Sequence, residues 1–110
     1  MRVVLRTRDY DAPHGLSETV ERQVLFALSR FRSHLRAVEV SVDRAAPSGA
    51  AGPAHRCRIR ADVQLVGPVN VEVLDADCSK AIARAVERAG RQVRLELSLL
   101  RDGVFPGVVG

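Results

Sequence analysis

The sequence predicts a two-layer α+β sandwich, in which two helices cover one face of a four-stranded sheet. Three observations lead to this prediction. Four segments alternate apolar and polar residues, with the period of a strand buried on one side. Two segments repeat their apolar residues with the period of a helix. The elements follow the order β-α-β-β-β-α and each has one apolar face, so a single core between two layers can bury all of them.

The first half of the chain predicts a strand, a helix and a second strand. Residues 2–6 alternate in polarity, as in a short strand that is half buried. After a loop over residues 9–15, Ser17 is expected to cap a helix. The apolar stripe of that helix consists of Leu16, Val20, Val24, Ala27, Leu28, Phe31 and Leu35. The inward residues of the second strand are Val38, Val40 and Val42.

The second half predicts two more strands and a long helix. Residues 57–65 and 69–73 alternate in polarity, with a turn expected at Gly67-Pro68. The uncharged segment 45–54 contains two Pro and two Gly and is expected to be a flexible loop. Asp75 or Asp77 is expected to cap the last helix, which runs to Arg101. We therefore expect one domain over residues 1–102 and a flexible tail over residues 103–110.

The last helix combines an apolar face with a cationic face. At about 100° per residue, its apolar residues fall on one side. The opposite side carries Lys80, Arg84, Arg88, Arg91 and Arg94. Glu87 is the single acid within this cationic arc. Cations at helical spacing repel one another unless water or a polyanion screens them. The arc therefore indicates either a solvated helix face or a surface that binds a polyanion.

The overall charge agrees with a polyanionic partner but does not identify one. The chain has 17 basic and 13 acidic residues, a formal net charge of +4 and a pI near 10.0. Every basic residue except Lys80 is arginine, which binds phosphate in a planar, bidentate geometry. An excess of arginine also arises from genome base composition. The charge is thus a general indication of a polyanionic partner.

Further arginines are candidates for secondary RNA contacts. They are Arg22 and Arg30 on the first helix and Arg56, Arg58 and Arg60 on the third strand. We interpret the strand set as a solvated sheet face, because acids on neighbouring strands are placed to pair with it. The sequence has no aromatic platform of the RNP1 kind, so base stacking is not expected to provide RNA affinity. Phosphate contact is the mechanism that remains.

No catalytic or metal-binding motif is present, so we expect neither an enzyme nor a cofactor. The sequence contains no G-x-S-x-G, H-E-x-x-H or P-loop pattern. Cys57 and Cys78 form no C-x-x-C pair, and the three His are scattered, so both thiols are expected to be free. No apolar run approaches the length of a membrane span, and residues 1–6 do not resemble a signal peptide. We expect a cytoplasmic protein.

Residues 80–93, Lys-Ala-Ile-Ala-Arg-Ala-Val-Glu-Arg-Ala-Gly-Arg-Gln-Val, resemble the final helix of the ribosome hibernation-promoting factor family. That helix typically reads A-I-D, then an acidic-basic pair, then R-Q-L. The family includes the ribosome-associated inhibitors once described as sigma-54 modulation proteins. The first helix, the strand at 38–42 and the strand at 56–59 are also similar, so the resemblance covers residues 1–101.

The resemblance implies a stress factor that binds the 30S ribosomal subunit and occludes the mRNA and tRNA channel, inhibiting translation. It implicates Lys80, Arg84, Arg88 and Arg91 as contacts to 16S rRNA phosphates. Ala83 departs from the family pattern, because an Asp is usual there. The helix end, residues 95–100, is rich in Leu where many members are rich in Lys, which lowers the expected ribosome affinity. We expect a short-form member without a C-terminal dimerisation domain.

A second hypothesis from a different class remains open. The protein is then a small interaction or dimerisation module without RNA binding, and its charge serves only solubility. The contact residues in this case are Leu25, Phe26, Leu99 and Leu100. We expect a monomer under the first hypothesis, with a weak homodimer as the alternative.

Overall fold

The structure, a computed structural model, describes residues 1–7, 14–45 and 54–102. Its elements are β1 (Arg2–Thr7), α1 (Leu16–Leu28), a 3-10 segment (Ser29–His34), β2 (Leu35–Ala45), β3 (Ala54–Val63), β4 (Gly67–Asp75) and α2 (Cys78–Arg101). This confirms the predicted order and the α+β sandwich. The tail expected over 103–110 and most of the two loops expected over 9–15 and 45–54 lie outside the described residues.

The four strands form one mixed sheet in the order β1-β2-β3-β4. β1 runs parallel to β2, and the other two pairs are antiparallel. The registers place Val40 opposite Leu5 on one side and opposite Ile59 on the other. Since side chains alternate between the faces of a sheet, this register gathers most of the apolar residues of the four strands on one face.

Both helices cover that apolar face. α1 contacts β1 and α2, while α2 lies across β3 and β4. The buried residues of α2 are Ala81, Ile82, Ala85, Val86, Ala89 and Val93. The two helices approach closely at Gly90, where an added Cβ would lie 3.8 Å from the Ala27 carbonyl oxygen. The resulting core is made of aliphatic residues and Cys57, and no charged or polar residue among those described is buried.

The ends of α1 differ from the prediction. Gly15, at φ 79°, precedes the first helical residue, and its carbonyl accepts the Thr19 N–H at 3.0 Å. The helix therefore begins before Ser17, which makes no cap. α1 ends at Leu28, whereas the apolar stripe predicted a helix up to Leu35. Leu35 instead pairs with Val63 at the start of β2 and is buried there. Apolar periodicity alone does not tell whether such a residue is buried as part of a helix or of a strand.

The turn between β3 and β4 also differs from the prediction. β3 ends at Val63, and the next N–H, that of Gln64, donates to the His34 carbonyl at 2.8 Å. Leu65 lies in the turn at φ 70° with 86% of its surface exposed. A left-handed conformation is unfavourable for a residue with a Cβ. Gly67-Pro68, the expected turn, opens β4 instead.

Val86 tests the placement of the core. Val86→Asp would place a carboxylate at a site that is 5% exposed, at a cost of several kcal/mol. We expect loss of the cooperative thermal transition, measured by circular dichroism. Ala83→Asp is the matched control, because Ala83 is exposed on the same helix and should leave the transition in place. A parent-like melt for Val86→Asp would contradict this assignment of the buried face.

Cys57 tests the accessibility of the sheet interior. Burial raises the pKa of the Cys57 thiol to about 12, with a further contribution from Cys78, and only the thiolate is nucleophilic. Cys78 is partly exposed. We expect the Cys78→Ser variant to resist a chromogenic disulfide reagent at pH 8 until denaturant is added. Rapid labelling of the native variant would show that the interior opens without global unfolding.

Candidate nucleic-acid interface

The sequence of α2 places its cations on the solvent side of the helix. Asp77 caps the first turn by accepting the Lys80 N–H at 3.1 Å, and Asp75 in turn accepts the Asp77 N–H at 2.9 Å. This confirms helix capping as the role of Asp77. Because the apolar stripe packs on the sheet, the opposite side faces solvent. The exposed cations on that side are Lys80, Arg84, Arg88, Arg91 and Arg94.

Two of these cations are paired with carboxylates. Arg84 lies 3.3 Å from Asp75, whose side chain is only 14% exposed. Arg91 lies 3.7 Å from Glu87, one turn earlier on the same helix, in a pair that is well exposed on both sides and therefore weak. Within the described ranges, Lys80, Arg88 and Arg94 make no ion pair. These three side chains are the ones most available to an external anion.

The arginines of β3 are in a different environment. Arg56 binds Asp43 through two hydrogen bonds of 2.8 and 3.0 Å, and these raise the pKa of its guanidinium. Arg58 donates to Glu72 at 3.0 Å. The registers also place Arg60 beside Glu39. The outer sheet face is thus a surface of mixed charge.

The two surfaces consequently present different potentials to a polyanion. On the outer sheet face, cations on β1 and β3 alternate with acids of β2 and β4, and β3 itself adds a further acid; the acids are Glu39, Asp43, Glu72 and Asp62. On the exposed side of α2, Glu87 is the single acid between residues 80 and 94. A surface of one sign attracts an oppositely charged ligand more strongly than a surface of alternating sign. The geometry therefore favours α2 over the sheet.

Arg22 and Arg30 lie at a groove between the two helices. This interhelical groove, of about 710 Å³, is bordered by Arg22, Phe26 and Arg30 on one side and by Arg91 and Arg94 on the other. In the sequence, Arg22 and Arg30 are more than 60 residues from Arg91 and Arg94, and no local pattern indicates that the four share a groove. The one sequence signal was Phe26, which falls outside the apolar stripe of α1.

A second groove, of about 1020 Å³, lies between the edge strand β4 and the C-terminal half of α2. Its lining mixes Arg88 and Arg94 with Glu72, Glu96 and apolar residues that include Leu99 and Leu100. Leu95, which also borders it, is 51% exposed. This groove extends the cationic face of α2 toward the apolar end of the helix.

The described residues contain neither a metal-ligand cluster nor a membrane-spanning helix. Across the ranges 1–7, 14–45 and 54–102, three or more metal-ligating side chains nowhere come together. No helix in those ranges is long and apolar enough to cross a membrane. What the described surface does present is a cationic helix and two adjoining grooves.

No protein-family model matches this sequence. No curated protein matches it either. Twenty-four chains of solved structures are similar to this protein, and they include the following two. One is the N-terminal domain of Protein Y from Thermus thermophilus, with 28% identity and a TM-score of 0.69, covering 86% of this chain and 98% of that chain. The other is a ribosomal subunit interface protein from Coxiella burnetii, with 11% identity and a TM-score of 0.70, covering 89% of this chain and 99% of that chain.

Neither name denotes an enzyme. The second structure, at its low identity, supports the fold alone, whereas the first also shares sequence with this chain over most of its length. The element order, the sheet and the final helix agree with what the sequence predicted. These findings confirm the resemblance of this chain to the ribosome hibernation-promoting factor family.

Proposed function

We propose that this protein binds the small ribosomal subunit, contacts 16S rRNA phosphates through α2, and inhibits translation by occluding the mRNA and tRNA channel. The observation that carries the proposal is the exposed side of α2, where Lys80, Arg88 and Arg94 have no carboxylate partner among the described residues. The confirmed family resemblance supports the ribosome as the source of the phosphates. The action is steric and requires no chemistry.

The physical basis of binding is the exchange of counterions for fixed cations. An RNA backbone carries condensed cations, and arginine side chains that contact its phosphates release them. α2 is held at its first turn by the Asp77 cap and along its length by the core. Its cations therefore project from a helix that is ordered before binding, which reduces the entropy lost on association.

The five cations have unequal roles in this proposal. Lys80, Arg88 and Arg94 contact phosphates directly, because no ion pair has to break first. Arg91 can exchange the exposed Glu87 for a phosphate at little cost. Arg84 is held by the largely buried Asp75, so it anchors the helix start and adds little net positive potential. Arg58 and Arg60 make at most secondary contacts from the far side of the sheet.

A second candidate function rests on the apolar end of α2. Leu95, Leu99 and Leu100 border the groove beside β4, and an apolar surface next to an edge strand is a suitable contact for another protein. Under this alternative the protein is an interaction or dimerisation module without RNA binding. Ionic strength separates the two functions, because apolar association does not release counterions.

Matched double substitutions test which surface binds. Arg88→Ser with Arg94→Ser removes two unpaired cations from α2, whereas Arg58→Ser with Arg60→Ser removes two cations from the outer sheet face. We expect the helix double to weaken 30S binding by about two orders of magnitude, on the order of 1–1.5 kcal/mol per contact. The sheet double should weaken it less than about threefold. Dissociation constants from titration of purified 30S subunits provide the comparison.

Both doubles should retain the parent melting transition, since all four side chains are exposed. A folded sheet double that loses more affinity than the helix double would reverse the assignment and identify the sheet as the docking face. Equal affinity of the helix double and the parent would remove α2 from the interface.

Salt dependence tests the mechanism itself. The logarithm of the parent's 30S association constant should fall linearly with the logarithm of the salt concentration. The helix double should have a slope shallower by about 2, because each lost phosphate contact removes about one unit. Co-sedimentation at several KCl concentrations measures both slopes. A parent whose ribosome association holds or strengthens with salt would support the interaction-module alternative.

A further inference from the structure

The interhelical groove has a floor of small residues. Ala27 of α1 and Ala83 and Gly90 of α2 line it, so the outer surfaces of the two helices leave a channel between their longer side chains. The channel has a volume of about 710 Å³ and is open to solvent. The space is large enough for a flat aromatic group.

Phe26 projects from α1 at the border of this groove. It is 92% exposed, the most exposed large hydrophobic residue among those described. A single exposed apolar side chain needs no special explanation on a protein surface. Phe26, however, stands between Arg22 of its own helix and Arg30 of the 3-10 segment that follows, and both arginines border the same groove. An aromatic face surrounded by cations is a recurrent arrangement for binding a nucleotide.

The charges around the groove favour an anionic occupant. Arg22 of α1 and Arg30 of the 3-10 segment lie on one side, and Arg91 and Arg94 of α2 lie on the other. The one acid in the lining is Glu87, and it is already paired with Arg91 at 3.7 Å. The occupant that complements this site has negative charge at its edges and a flat apolar part at its centre.

A nucleic-acid strand satisfies both requirements, because phosphates flank each planar base. An acidic peptide also carries negative charge, but the groove is continuous with the cationic side of α2. Arg91 and Arg94 belong to both surfaces. An RNA strand that contacts Arg88 and Arg94 from the solvent side can therefore continue into the groove without leaving the positive potential. This continuity favours RNA over peptide.

We propose that the interhelical groove binds one unpaired nucleotide of ribosomal RNA, whose base stacks on Phe26 while its flanking phosphates contact arginines of both helices. The proposal rests on the proposed function and adds an apolar contact to it. The sequence has no aromatic platform, and for that reason base stacking was not expected. In this proposal stacking depends on the single ring of Phe26. Because stacking accepts any base, the site should show little sequence preference.

Substitution of Phe26 separates stacking from phosphate binding. Phe26→Ala should weaken 30S binding about tenfold, within the range found when stacking aromatics are truncated. The slope of affinity against salt should stay at the parent value, since no charge is removed. Leu74→Ala is the matched control, because Leu74 is 55% exposed on the outer sheet face. The 30S affinity of the Leu74→Ala variant should equal that of the parent. The melting temperature of both variants should remain close to the parent's, because neither side chain is buried.

Two further variants distinguish a base from an apolar protein group. Phe26→Tyr keeps the aromatic face and should bind 30S subunits like the parent. Phe26→Leu keeps apolar area without an aromatic face and should be as weak as Phe26→Ala. If Phe26→Leu binds like the parent, the groove holds an aliphatic or peptide group and the stacking proposal is overturned. If Phe26→Ala binds like the parent, the groove is not part of the interface.

The outcomes for the two proposals are distinct. A parent protein that does not bind 30S subunits would defeat the proposed function, and the stacking site with it. A parent that binds with a steep salt dependence and loses affinity in the Arg88 and Arg94 double, but not in Phe26→Ala, would defeat the stacking site alone. A tenfold loss in Phe26→Ala, recovered by Phe26→Tyr and not by Phe26→Leu, supports both.

Discussion

The packing of α2 on β3 and β4 determines which side of α2 faces solvent. The cationic surface and the two grooves that border α2 depend on this packing. Ile82, Val86 and Val93 are at most 5% exposed, and they cover the aliphatic face of the sheet. Because a helix has only one side toward a sheet, this burial turns all five cations of residues 80–94 outward. The core contains no buried polar residue among those described, so complementary apolar surfaces set which side of the helix faces the sheet.

The placement of acids, rather than of arginines, distinguishes the two sides of the protein. Arg56 and Arg58 are matched by Asp43 and Glu72 at hydrogen-bonding distance. Such exposed or half-exposed pairs contribute little to stability, but they cancel the positive potential over the sheet. On α2 the carboxylates are fewer, and Asp75 holds Arg84 at the start of the helix. The same residue type is therefore neutralised on one surface and left available on the other.

The sequence predicted element types well and element ends poorly. Alternation in 57–63 and 69–73 and the helical stripe of α2 extend over enough residues to identify one structure each. Ser17, Leu35 and Leu65 lie at boundaries, where one residue is compatible with two conformations. Gly15 begins α1 before Ser17, pairing with Val63 takes Leu35 into β2, and the hydrogen bond from Gln64 to His34 ends β3 before Leu65. Each outcome depends on a partner distant in sequence or on a backbone angle, which local pattern does not contain.

The sequence by itself determined the fold class and the cationic side of α2, because both follow from periodicities of 2 and 3.6 residues within single elements. Only the tertiary structure decided which cations of α2 lack a carboxylate partner among the described residues, and which helix surfaces lie next to each other. The pairing of Arg84 with Asp75 and the meeting of Arg22, Phe26 and Arg30 with Arg91 and Arg94 depend on distances between elements. The distances across the groove result from how α1 and α2 pack side by side at Ala27 and Gly90, and the place of that contact leaves no periodic signal in the chain.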